Sequence, residues 1–355
     1  YLAALMHYYN ITGDELNAKA AGYRLLDIPP QTGPLTGWDM VANATLLNNL
    51  DLILTPPELA RYFEQARSEA SAQPEMLLYR AWIDFTELLY TPSSLRQEDT
   101  LTKLATYHTE FLRMLPDNYP LVANAQLQIS YALQWQNRFE DALVWMEKAL
   151  KTTAGSDGSR SDTVAFLMSA KVGILLQLRR LETAVIAAKS AYDVAFSAPG
   201  RSSMVSGVVE MYARAVFDKT SDGEQAAAIL AKHIDDPSFL NSLNTYNKYS
   251  ILRLYAEYLS HFSTTQTAIA ALDRAEQTLK DDNKNWDNER SQLLFARSRM
   301  LYWDKQFEPS FSSITQSSDL YFGYVESTVG TGATGSKYKD NFAIGLAMHE
   351  AAIGW

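Results

Sequence analysis

Small side chains recur every 42 residues through the second half of this chain, at Ala142, Ala184, Ala226, Ala268 and Ser310. Each has a companion four residues on (Met146, Ala188, Leu230, Leu272, Ile314) and another at seven (Ala149, Ala191, His233, Ala275, Ser317). Steps of four and seven trace one face of a helix with 3.6 residues per turn. A stripe of small residues on that face lets two helix backbones approach closely. One alanine at a given spacing carries nothing, but five consecutive hits with their companions define a repeat. A fixed period of this length implies stacked copies of one supersecondary unit, because a single copy cannot bury its apolar face alone.

The unit is most legible in LVANAQLQISYALQWQNRFEDALVWMEKAL, Leu121 to Leu150. Its first helix carries Leu127, Ser130, Tyr131 and Ala132. Asn137 and Arg138 form a short polar turn, and Phe139 opens a second helix with Ala142, Met146 and Ala149. The residue three before each small one is Phe139, Leu181, Gly223, Thr265 or Phe307, so an apolar plug for the turn is kept in three of five units. The first helices keep a small residue in register at Ser130, Ala256 and Ser298. In the two middle units it is expected one place off, at Gly173 and at Ala213 or Ala215. No stretch shows the period-two alternation of strands.

Paired helices, a short turn, an aromatic and a small-x3-large-x2-small stripe resemble the tetratricopeptide repeat. RFEDAL and MEKAL carry the likeness best; Ile251–Leu279 is good and Gln292–Ser317 degenerate. The resemblance implies an all-α fold, a right-handed α-solenoid of antiparallel helix pairs. The family period is about 34 residues, so 42 adds about two helical turns per unit. Long-helix variants occur in kinesin light chains and in the sensor regions of maltose-type bacterial activators. Residues 117–325 are expected to form the regular repeats, and 1–116 irregular helical hairpins that begin the same array. There Ala18 and Ala60 are in step, Thr102 falls out of phase, and Pro56-Pro57 opens a helix through Leu59, Ala60, Phe63 and Ala66. PPQTGPLTG and YTPSS read as loops. Residues 326–355 read as a Gly-rich loop and a terminal helix that starts a further unit.

Composition removes several functions. Among 355 residues, 47% are apolar, mean hydropathy is -0.20, and no stretch approaches the run needed to cross a bilayer. Net charge is -10, which repels phosphate backbones, so no nucleic acid is expected to bind through this segment. The absence of Cys excludes disulfides, thiol catalysis and cysteine metal sites. It also leans toward a periplasmic or other extracytoplasmic setting, where stray thiols oxidise. The start at Tyr1, without Met or a basic leader, suggests a mature form or a region of a larger protein. Asn-x-Thr sequons at Asn10 and Asn43 would matter only in a eukaryotic secretory protein.

Gly330, Gly332 and Gly335 satisfy G-x-G-x-x-G, but no buried strand precedes them and too little chain follows for a β-α-β unit. A phosphate loop fails as well, because Ser336 precedes Lys337 where the Lys should come first. The stretch reads as a polar linker. His349-Glu350 lacks the second His of the zinc-protease helix, and His7, His108, His233 and His261 are scattered. No catalytic residue, metal site or cofactor is expected. An α/α-barrel glycosidase, which also repeats helical hairpins, is the enzymatic alternative.

The resemblance places the ligand groove on the first helix of each pair. Its positions map to Asn124, Leu127, Tyr131, Gln134 and Trp135, then to Phe166, Ser169, Gly173, Leu176 and Gln177. Further images are Val208, Met211, Ala215, Asp218 and Lys219, then Ser250, Arg253, Glu257, Ser260 and His261, and finally Gln292, Phe295, Arg299, Tyr302 and Trp303. The candidates for recognition are Asn124, Tyr131, Gln134, Trp135, Arg253, Glu257, Phe295, Arg299, Tyr302 and Trp303, since arginines and aromatics are the usual anchors. Family members that clamp acidic chaperone tails use Lys, Asn and Arg where this chain has Leu127, Tyr131, Phe166, Val208 and Met211. That function is not expected. The expected function is a non-catalytic scaffold for a protein or peptide. The alternative is the sensing region, for a small molecule or peptide, of a larger bacterial signalling or transcription-regulating protein.

Overall fold

The computed structural model describes residues 2, 5, 6, 15–26, 54, 56–71, 77–90, 98–155, 161–197, 205–282 and 285–329. Among the described residues there are fifteen helices and no strand. The Gly-rich stretch from Gly330 onward and both sequons lie outside them.

Two compact units divide the chain, Tyr1–Ala215 and Val216–Trp355. The first holds α1 (Glu15–Leu26), α2 (Pro56–Ser71), α3 (Leu77–Tyr90), α4 (Glu98–Met114), α5 (Pro120–Trp135), α6 (Phe139–Ala154), α7 (Ser161–Gln177) and α8 (Leu181–Ser197). Helix α9 (Val205–Thr220) spans the division. The second unit continues with α10 (Gly223–Ile234), α11 (Pro237–Ser242), α12 (Thr245–Leu259), α13 (Thr265–Lys280), α14 (Asp287–Trp303) and α15 (Phe307–Val329). From α2 to α8 each helix packs on the next in sequence. In the second unit α10 packs on α11 and α12, and α12 through α15 pack successively. Packing that runs mainly from each helix to those nearest it in sequence is the mark of a repeat array.

The 42-residue register marks where paired helices touch. Ala142, Ala184, Ala226 and Ala268 are wholly buried and Ser310 nearly so. The Ser130 hydroxyl on α5 donates to the Ala142 carbonyl on α6 at 2.8 Å. In α14–α15 the Ser310 hydroxyl donates to the Ser298 carbonyl at 2.9 Å, and the Ser317 hydroxyl to the Ser291 carbonyl at 2.8 Å. The two rungs are symmetric about the turn, which only antiparallel helices allow. The architecture is therefore all-α and tetratricopeptide-like: antiparallel pairs meeting at small side chains.

Turn chemistry follows the same period. Asn137, Arg179, Ser221 and Lys305 all take left-handed backbone, with φ between 55 and 61°. Three of these turns close alike: Arg138, Arg180 and Gln306 each donate from the backbone N–H to the carbonyl five residues earlier, at 2.9 Å. The residue before each donates three back, to Gln134, Leu176 and Tyr302. This is the Schellman closure of a helix C-terminus, which satisfies two orphan carbonyls. The α12–α13 turn is longer. It uses the Thr264 hydroxyl to cap α13, accepting from the Thr267 N–H at 3.2 Å.

Three details depart from the sequence reading. In the second repeat the in-register Val172 is wholly buried, whereas a Cβ on the half-buried Gly173 would meet only the Met211 methyl at 3.9 Å. The buried in-register position there is taken by valine, and the glycine lies beside it. Gly223 stands where other units carry a turn plug, because a Cβ there would lie 2.7 Å from the His261 Cβ and 2.8 Å from the Tyr258 carbonyl oxygen. The end of α12 fills the place of the plug. Phe307, in the plug position of the last repeat, is 56% exposed.

Candidate functional site

The candidate residues fall in two compact units, so they form two local sets. On α5, Tyr131 is half-buried and packs on the main core, and burial pushes its phenol upward. Asn124 accepts from the Gln128 amide at 3.2 Å, one turn along the same helix. Gln134 reaches back to the Ser130 carbonyl at 3.5 Å. Trp135, the last residue of the helix, is 54% exposed.

In the second unit, Arg253 and Glu257 form an ion pair one turn apart on α12. The Arg253 guanidinium carbon lies 6.0 Å from the centroid of the Tyr249 ring. Tyr249 is buried, which drives its phenol far upward, and its hydroxyl donates to Gln292 Oε1 of α14 at 3.2 Å. The α12 and α14 faces therefore meet through a neutral tyrosine. At the far end of α14, Tyr302 touches Trp303 and Phe307 edge to face, at 5.9 and 5.6 Å. Trp303 is 76% exposed, Arg299 is also in solvent, and Phe295 is half-buried.

Two features escape the sequence reading. Tyr246 stacks on Trp286 at 6.4 Å with an interplanar angle of 26°, and touches Tyr249 at 6.0 Å. The Trp286 indole Nε1 is buried without a hydrogen-bond partner. Trp286 is two residues short of the register image of Tyr246, so the 42-residue step could not pair them. The second feature is a cavity of about 540 Å³ between α3 and α4, in the stretch read only as irregular hairpins. Among the described residues no group of three or more His, Asp or Glu could hold a metal ion, and no helix is long and apolar enough to cross a membrane.

No protein-family model matches the chain, and no curated protein is significantly similar to it. Among solved structures, BtubC (BKLC) from P. vanneervenii is similar at 10% identity, over 74% of this chain and 92% of that one, with a TM-score of 0.49. A putative kinesin light chain from Podosopora anserina with nearly identical TPR-like repeats is similar at 12% identity, over 78% and 99%, with a TM-score of 0.32. The tetratricopeptide-like architecture rests on the helix packing and turn geometry above.

Proposed function

We propose that the chain is a non-catalytic scaffold that binds a protein or peptide segment along its first-helix faces. One contrast supports this reading. Second helices turn their small stripe inward and bury it, whereas α5 and α14 end in tryptophans left in solvent at the same register position. Trp135 and Trp303 lie four periods apart and are 54% and 76% exposed. A large aromatic in solvent beside Tyr302 and Phe307 is surface that gains by being covered, and such aromatics dominate binding energy when a partner buries them.

The test is selection of a displayed random-peptide library on the whole chain, followed by titration of recovered peptides. Trp303→Ala or Trp135→Ala should weaken binding at least tenfold with the melting temperature nearly unchanged. Recovery of no peptide, or binding indifferent to both substitutions, would sink this reading. Arg253→Ala is expected to weaken binding less, because its charge is already committed to Glu257.

A further inference from the structure

In a helical array, the stripes that two neighbouring helices turn toward each other are normally apolar. Between α3 and α4 the buried Phe85 and Phe111 keep that rule, 5.4 Å apart, but the open edge of the same pair is charged. From α3 the cavity is lined by Leu77, Arg80, Ala81 and Asp84, spaced as one helix face. The opposing face of α4 supplies Tyr107, Glu110 and Arg113 together with Lys103, Thr106 and Met114. At about 540 Å³ the space sits inside the ~300–1,000 Å³ range of small-ligand sites.

Some of these charges are already used. Arg67 of α2 donates to Asp84 at 2.8 Å and also pairs with Glu87, so Asp84 is neutralised from outside the cavity. Lys103 is tied to Asp99, one turn earlier, at 2.6 Å. Arg80, Arg113 and Glu110 have no ion-pair partner among the described residues. The two arginines are exposed. Leu77 and Met114, 61% and 38% exposed, give the same cavity an apolar lining. Tyr107 adds a phenol held at the wall by edge-to-face contact with Phe85, at 6.1 Å.

Two uncommitted guanidiniums, one uncommitted carboxylate and an apolar lining share one cavity. A guanidinium pair takes a carboxylate through charge-assisted, bidentate hydrogen bonds. A single carboxylate takes an ammonium. We infer that the α3–α4 groove is a binding site for a short zwitterionic ligand of the peptide class, its carboxylate at Arg80 and Arg113 and its ammonium at Glu110. The apolar side chains of such a ligand lie on Leu77 and Met114. The site shares no residue with the first-helix tryptophans and stands or falls separately from them.

Titration calorimetry of the whole chain with trileucine, its C-terminal amide and its N-acetyl form tests the inference. Trileucine should bind saturably, amidation should weaken it at least tenfold, and acetylation several-fold. Arg80→Gln with Arg113→Gln should abolish the preference for acid over amide. Glu110→Gln should abolish the preference for the free amine. Equal binding of acid and amide, no saturable heat with trileucine at millimolar concentration, or a preference that survives the double arginine variant would overturn it. Should a variant fail to fold, the acid–amide comparison on the wild-type chain still decides. Trp303→Ala, which tests the first-helix surface, should leave the trileucine titration unchanged.

Discussion

In α5–α6 the helices cross with Ser130 against Ala142, and Phe139, Met146 and Ala149 fill the space beside them. In α14–α15 the crossing is Ser298 against Ser310, and a second serine pair, Ser291 and Ser317, forms another rung two turns away. Both hairpins use the same register, yet one is closed chiefly by alkyl packing and the other by a hydroxyl ladder. The position demands small size and is indifferent to polarity, provided each hydroxyl finds an acceptor. Every ladder serine that replaces an alanine of the stripe does so: Ser310 and Ser317 each donate to a carbonyl of the opposite helix. The plug position differs too, since Phe139 packs on the core and Phe307 stands in solvent.

The largest expected effect tests the size requirement. Ala142→Leu forces three further carbon atoms into a wholly buried crossing and should destabilise the chain by about 3 kcal/mol, read by urea unfolding. A neutral outcome would mean that the crossing is loose and the shared register unnecessary. Next comes the plug. Phe139→Ala should cost about 2 kcal/mol, because the ring is partly buried against the core. Phe307→Ala should stay within about 0.5 kcal/mol. Equal costs would erase the distinction between the two hairpins.

The ladder supplies a smaller effect. Ser310→Ala should cost about 1 kcal/mol, and Ser298→Ala with Ser310→Ala should cost less than the sum of the single changes. The reason is that the Ser298 and Ser310 hydroxyls lie 3.2 Å apart and share one network. Strict additivity in the double-mutant cycle would show that the serines act independently.

The smallest effect is a pH dependence confined to the first region. His108 of α4 sits edge to face on Trp145 at 5.1 Å, near the Gln126 amide at 3.3 Å, with Lys148 over the Trp145 ring at 4.0 Å. Burial first, and the Lys148 charge second, lower its pKa from 6.5. The unfolded chain then binds this proton more readily than the folded one. Stability should therefore be unaffected above the unfolded value of about 6.5, and should fall as pH drops from there through the folded pKa. His108→Gln should flatten that slope, while α14–α15, whose sequence contains no His, should contribute none of it. An unchanged slope in His108→Gln would assign the acid sensitivity elsewhere.

Much of the fold can be read in advance because its rule is local. A helix crossing another closely needs a small residue at one point per unit, and Ala142, Ala184, Ala226, Ala268 and Ser310 meet that need within single helices. The turn was partly legible. Asn137 is a residue that tolerates left-handed backbone, but Arg179 and Lys305 are not usual there. They are held by the Schellman hydrogen bonds of the helix ends, which depend on geometry more than on side-chain type. Gly223 is the clearest illegible case, because its small size answers to His261 and Tyr258, which lie more than thirty residues away.

For the candidate site the balance shifts. Register placed Trp135, Tyr302, Arg299 and Trp303 on first helices, where they are exposed. It could not show that Arg253 is committed to Glu257, or that Tyr249 is buried and bonded to Gln292 on the next first helix.

By itself the sequence determined an all-helical chain and the positions where its paired helices touch, because helical period and steric size act over one or two turns. The tertiary structure decided which of the remaining side chains face solvent, and that Arg80, Glu110 and Arg113 line one cavity. Those outcomes depend on how one helix lies beside the next. No residue carries that information within its own turn.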